Sequence, residues 1–341
     1  MPSGSRDKAR IIDIALQAGV STATVDRVLN HRPGVRRKTA DRVAEAIRWL
    51  EKAPARPTII PSLRADLTVD VIIAGNAGFS NDALAAELRR EGAEHGLTLR
   101  PAYPLRLDPY ALAAALTESH KKGSSGFIVQ ALDHPIVRDA IGRICEDGIP
   151  VVTILTSLPG APTLGYIGLD NRAAGRTAGL LMGRLCREPG EIAIFWGGNV
   201  YRSHEEREIG FCSVIREEFQ DLRLLAGCQG QDDPQKNYEM AKHLLETNRS
   251  LRGIYNVGSG NRGIEKALIE SGLHRQVNYV AFNLTPLTRQ GLLTGVIDAV
   301  VHQDMARAAK YAIEALVNNF LGKAPLFPAV PVEIIMRENI R

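Results

Sequence analysis

The chain has 341 residues, 45% hydrophobic and 23% charged, an ordinary globular balance with length enough for two or three domains. No run approaches the ~20 apolar residues of a membrane helix, the opening MPSGSRDKAR has no apolar core of a secretory signal, and the four cysteines are scattered outside any C-x-x-C pair, which argues against a disulfide framework, a metal site or a membrane partner and for a reduced, cytoplasmic setting. The net charge of +4 is uneven: residues 1–60 hold 12 Lys and Arg against 6 Asp and Glu, and the rest is net −2, so a polyanion is expected at one end only.

That basic end reads as three short helices. Ile11, Ile14, Ala15 and Ala18 recur on one helical face. Gly19 supplies a turn and Ser21 an N-cap for a second helix, whose buried side is expected to be Val25, Val28 and Leu29. Thr22, Ala23, Asp26, Arg27 and Asn30 then face outward. Pro33-Gly34 breaks the chain, and Val43, Ile47 and Leu50 stripe a third helix. Two short helices joined by a tight glycine turn make a helix-turn-helix, set here at residues 8–53. Helical spacing alone also suits a small cap packed on a larger domain. The charge, the small residues on the second helix and the Arg36-Arg37-Lys38-Thr39 cluster favour duplex DNA, because a helix entering the major groove needs short side chains near the groove floor and a long donor, Arg27, for base edges. Ser21, Thr24, Asn30, Lys38 and Thr39 sit where hydroxyls, amides and backbone N–H groups meet phosphates.

The pattern D-I-A-x-x-A-G-V-S-x-x-T-V-x-R-V-L-N over Asp13 to Asn30, followed by V-x-x-K-T-x-x-R-V to Val43, resembles the lac-repressor-type (LacI/GalR) regulators. The resemblance implies that Thr22, Ala23 and Arg27 meet bases and that Ser21, Thr24, Asn30, Lys38 and Thr39 hold the DNA backbone. Asp26 stands where the family usually has Ser. A carboxylate near phosphate is repelled, so Asp26 is expected to orient Arg27 or accept from a cytosine amine. Residues 54–66 form a Pro-rich hinge. Pro54, Pro57 and Pro61 are too close for a helix across 53–60, which leaves a stub at 62–66 with Leu63 as the one minor-groove wedge.

From Leu67 the pattern changes. Apolar, β-branched runs at 69–75, 126–132, 150–156, 191–196, 252–257 and 277–282 alternate with helical stretches, the signature of buried parallel strands with crossover helices. The fold expected is α/β, and its length suggests two Rossmann-like lobes. Ligands in such sheets sit beyond the carboxyl ends of the strands. Of the polar and small residues there, Asn76, Phe79, Asp133 and Asn256 are candidate effector contacts. Phe79, Trp196, Tyr201 and Phe282 could each face a sugar ring or merely pack the core, while His134 and His204 are ordinary loop histidines on pattern alone.

The body also resembles the type I periplasmic-binding-protein-like sensor of the same family. Y-I-G-L-D-N-R-A-A-G-R-T-A-G (166–179) is similar to its lobe-crossover motif, R-E-I-G-F (207–211) to its R-x-x-G-F/W, and V-V-H-Q-D (300–304) to its return segment. This implies that Asp170, Arg207 and Asn283 contact the effector; relatives usually carry Asp at the last position. The lobes are set at 67–164 plus 296–323 and 165–295 plus 324–341.

Enzyme readings are weaker. G-S-G-N-R-G (258–263) matches G-x-G-x-x-G but lacks the acidic residue a dinucleotide needs and comes late in the chain. P-loop, nucleophile-elbow and zincin motifs are missing. A plain sugar-binding protein or a sugar-processing enzyme remains as the alternative, in which the basic head would not read DNA. The expectation is a homodimeric transcription regulator without cofactor or catalysis, binding operator DNA and a small polar effector, a sugar or sugar derivative.

Overall fold

Continuous apolar runs become strands buried on both faces, as parallel sheets require. In the computed structural model of the protein, residues 67–198 and 201–340 are described, with 20, 22–30, 32, 33, 35, 36, 39, 40 and 42–44 of the N-terminal region. Residues 1–62 and 63–341 form two compact units.

In the first unit, helix α1 (Thr22–Leu29) buries Val25, and Val43, in helical backbone, is buried too. Leu29, expected inside, is 42% exposed. Ser21, Lys38, the first helix and the hinge lie outside the described residues.

The second unit holds two sheets. The first is five-stranded and parallel, in the order β2 (Thr98–Ala102), β1 (Thr68–Ile72), β3 (Gly126–Val129), β4 (Val151–Ile154), β5 (Gly165–Ile167). Helices α2 (Phe79–Glu94), α3 (Pro109–Lys121) and α4 (Pro135–Glu146) connect it. Asp108 caps α3 by accepting from the N–H groups of Tyr110 and Ala111, with Pro109 in the first turn. Helix α5 (Asn171–Leu185) leads to the second sheet: β6 (Gly190–Trp196), α6 (Arg202–Glu218), β7 (Leu222–Leu224), β8 (Cys228–Gln229), α7 (Pro234–Thr247), β9 (Leu251–Asn256), α8 (Asn261–Ser271), β10 (Asn278–Phe282), α9 (Pro286–Thr294) and β11 (Ala299–His302). Helix α10 (Met305–Phe320) then packs back on α2, and β12 (Glu333–Ile335) closes the second sheet antiparallel to β11.

The lobe boundaries therefore move from those expected. Gly165–Ile167 pairs with β4 and stays in the first sheet, and Ala299–His302 pairs with β10 in the second. The chain changes lobe three times: after Ile167, after His302 and after α10. One apolar cluster runs from Val69 and Ile128 through Ala309 and Ile313 of α10 to Ile192 and Val280.

Behind the first sheet, Asp70 is fully buried on β1. The Arg100 fork grips it with Nε and Nη2 at 2.7 Å each, and Ser124 also donates to it. The thiols of Cys186 and Cys228 are buried, and burial raises their pKa to about 11, so they are inert packing groups.

Candidate functional site

On α1, Arg27 is exposed. Asp26, expected to orient Arg27 or to accept from a cytosine amine, accepts here from Asn30 Nδ2 at 2.7 Å and pairs with Arg32 Nη1 at 3.2 Å. The amide of Asn30, expected on phosphate, is engaged within its own helix here, also reaching the Asp26 carbonyl at 3.0 Å. Thr24 is half-buried, and Thr39 donates its N–H to the Arg36 carbonyl at 2.9 Å. For Thr22 and Ala23 only the helical backbone is described.

In the second unit, a cleft of about 740 Å³, open solvent at its mouth included, lies beyond the carboxyl ends of both sheets. That is the place of a small-molecule site in such folds. The first lobe contributes Phe79, Asn81, Arg106 and Gln130; the second contributes His204, Arg207, Asp232 and Asn283; Gln303 lines it from a crossing segment.

Arg207 anchors the second side, and local sequence explains its position. Gly210 lies three positions on, on the same face of α6. A Cβ on Gly210 would run into the Arg172 carbonyl, and one on Gly175 into the Arg207 carbonyl. The two glycines thus let α5 and α6 touch backbone to backbone, which draws Arg207 over the start of α5. There its Nε donates to Asn171 Oδ1 and its Nη1 to the Val257 carbonyl, both at 2.8 Å. Its guanidinium also lies 3.7 Å from the centroid of Phe282. Only 4% of the residue is exposed, and burial lowers its pKa.

His204, one turn earlier, accepts from the Gly197 N–H at Nδ1 (3.2 Å). Burial pushes its pKa down to about 4, so the ring is neutral at pH 7 with its proton on Nε2. Asp232 sits at φ 55° and accepts from the Ser259 N–H at 2.8 Å; Leu155, also lining the cleft, has φ 65°. Left-handed backbone at non-glycine residues concentrates where the surroundings over-determine it, often at binding sites. On the first side, Asn81 Nδ2 donates to Gln130 Oε1 at 2.8 Å and to the Ala74 carbonyl at 3.1 Å.

Of the effector contacts expected from sequence, Phe79, Arg207 and Asn283 line this cleft. The other four do not. Asp170 caps α5 through the Ala173 N–H at 2.8 Å, and its neighbour Asn171 is the residue that meets Arg207. Asp133 pairs with Arg138. Asn256 is buried and ties Ser259 to Asn261. Asn76 occupies an exposed left-handed turn at φ 52°. His204, given no special weight on pattern, lines the cleft, as do Tyr201 and Phe282. Arg106, Gln130, Asp232 and Gln303 were not singled out. Arg106 follows β2, a strand hidden by its Pro101, and Asp232 follows the two-residue β8. In the G-x-G-x-x-G segment, the Ser259 amide that a phosphate would need is held by the Asp232 carboxylate.

Residues 74–324 match the model of a periplasmic binding protein domain, and residues 10–54 match that of bacterial regulatory proteins of the lacI family. No curated protein matches the chain. Among solved structures, a glucose-galactose binding protein, GanP, from Geobacillus stearothermophilus is 21% identical over 80% of this chain and 98% of its own, with a TM-score of 0.75. A solute-binding protein of an ABC transporter from Burkholderia graminis, in complex with D-arabinose, is 22% identical over 80% and 96%, with a TM-score of 0.75. One from Agrobacterium vitis with bound D-fucose is 17% identical over the same shares, again at 0.75. At these identities the likeness is one of fold. With a lacI-family DNA-binding domain ahead of a periplasmic-binding-protein domain that spans most of its length, the chain belongs to the LacI/GalR-type transcriptional regulators.

Proposed function

We propose that the protein is a cytoplasmic, homodimeric repressor whose hold on operator DNA is set by a sugar or sugar derivative bound between the two lobes of its body, and that it has no catalytic role. The observation that carries the effector reading is the buried, pinned Arg207 opening on a polar cleft at the carboxyl ends of both sheets. Phe79 offers a ring face, while Arg207 and Asn283 offer directed donors, the set that recognises polyols. The solved structures of similar fold include proteins described as binding glucose-galactose, D-arabinose and D-fucose. On the DNA side, Thr22, Ala23 and Arg27 read bases, and Ser21, Thr24, Lys38 and Thr39 hold the phosphates. Asp26 and Asn30 act together to fix the end of α1.

The mechanism is a population shift. An effector that binds the closed lobes better than the open ones favours closure, and closure changes the spacing of two DNA-binding heads, which must match half-sites about one helical turn apart. A tenfold change in operator affinity needs about 1.4 kcal/mol of coupling. The test is selection of bound genomic fragments by the purified full-length protein, with and without a sugar panel. Arg27→Ala is expected to cost about 1–3 kcal/mol of discrimination between the selected operator and random DNA. Equal discrimination by parent and variant would refute the base-reading role.

A further inference from the structure

We infer that the effector is an anion, a sugar derivative carrying a carboxylate or phosphate, rather than a neutral sugar. This rests on the reading of the cleft as the sensor site.

The first ground is an uncompensated charge. Arg207 is 4% exposed, yet no carboxylate lies within 4.0 Å of it among the described residues. Its contacts there are an amide oxygen, a carbonyl and a ring face, and no protein acceptor among those residues meets its Nη2. A buried cation without a counter-ion costs several kcal/mol unless something supplies the charge. A second cation, Arg106, lines the same cleft, and its one ion pair among the described residues is with Asp232 Oδ2 at 4.0 Å, beyond hydrogen-bond reach. With two arginines, one aspartate and a neutral His204, the lining side chains sum to one positive charge.

The second ground is the direction of the unused hydrogen bonds. Gln303 is 1% exposed, and its Nε2 is buried without an acceptor among the described residues. Gln130 and Asn283 spend their oxygens on the backbone N–H groups of Ala74 and Gln303, which leaves their NH₂ groups over. His204 spends its one acceptor on Gly197 and keeps Nε2–H. With Arg106 and Arg207, six side chains around the cleft offer donors. The side-chain acceptors there are Asp232, Asn81 Oδ1, Gln303 Oε1 and the hydroxyls, which can turn either way. A neutral polyol brings an O–H donor with every oxygen, and each of these needs an acceptor in a cleft that offers mostly donors. A carboxylate or phosphate, which only accepts, suits them, and both arginines suit it.

The test is titration calorimetry on the full-length protein with aldohexoses, aldopentoses and ketohexoses, each as neutral sugar, sugar acid and sugar phosphate, and with citrate and inorganic phosphate. Expected is one acid or phosphate binding at least tenfold tighter than its neutral parent, with affinity falling as salt rises. Which of the two wins identifies the anion. Arg106→Gln is expected to lower that affinity tenfold or more, and Arg106→Lys to restore part of it. Asp232→Asn is expected to raise it, because a competing negative charge goes while the acceptor for Ser259 stays. A neutral sugar binding as tightly as its acid and phosphate, with Asp232→Asn weakening it, overturns the anion and leaves the sugar sensor standing. Citrate or inorganic phosphate binding as well as any sugar derivative supports the anion and removes the sugar. No binding across the panel overturns both.

Discussion

The two sides of the cleft are built differently. On the second lobe, each key group is fixed by a neighbour: Arg207 by Asn171, Val257 and Phe282, His204 by Gly197, and Asp232 by Ser259. On the first lobe, Asn81 and Gln130 are knotted together, but Phe79 is 53% exposed and Arg106 has one distant ionic contact. A pre-set wall facing a looser one suits a sensor. The fixed side selects the ligand without reorganisation, and the loose side adjusts as the lobes close over it.

Behind the cleft the contrast reverses. Both lobes bury a carboxylate, Asp70 in the first and Glu265 in the second. Asp70 has the Arg100 fork. Glu265 Oε1 has no hydrogen-bond partner among the described residues, and burial lifts the pKa to about 7.

The largest effect is therefore expected from Arg100→Ala, which strands the Asp70 charge and should cost about 3–5 kcal/mol in urea unfolding. A loss under 1 kcal/mol would show that the first sheet does not depend on this pair. Gly210→Ala comes next. Its Cβ meets the Arg172 carbonyl, so α6 must shift, at about 1–3 kcal/mol of stability, and effector affinity should fall with it because Arg207 moves too. Loss of stability with affinity intact would separate the helix contact from the site.

Glu265→Gln should reveal a pH dependence. Between pH 4.5 and about 7 the folded chain keeps a proton that the unfolded chain releases, so the parent loses stability as pH rises through that window. Glutamine cannot ionise. The variant should therefore gain on the parent by roughly 2 kcal/mol between pH 4.5 and 7, on the order of what such a shift allows. Parallel stability curves for parent and variant would contradict the raised pKa. The smallest effect is expected from Phe79→Ala on the loose wall, a few-fold loss of effector affinity worth under about 1 kcal/mol. Arg207→Gln on the fixed wall should cost tenfold or more in the same titration.

Much of this architecture was legible in the sequence. Each of the six apolar runs holds a strand, because doubly buried strands carry no alternation and stand out as continuous β-branched stretches. The strands that escaped notice are short or lie at an edge. TLRPA carries a proline and an arginine, and β8 is two residues long. The site was harder to read because a position beyond a strand end says nothing about where its side chain points. Asp170 and Asn171 are adjacent, yet one caps a helix and the other holds Arg207. Arg207 was legible through the R-x-x-G-F resemblance, and the structure supplies the reason for that pattern, since the glycine three positions on is where α6 touches α5. Gln303 lay within a quoted segment, but its role depends on the chain crossing between lobes at that point, which no local pattern records.

Those crossings have a consequence for how the protein is made. Helix α10 packs on α2 and joins the apolar cluster of the first sheet, but it is synthesised more than 200 residues after β1. At about 5–20 residues per second, the first lobe waits some 10–40 s on the ribosome for its last helix. Until then its partner surface stays uncovered, so neither half matures alone and no single internal cut would release one of them whole.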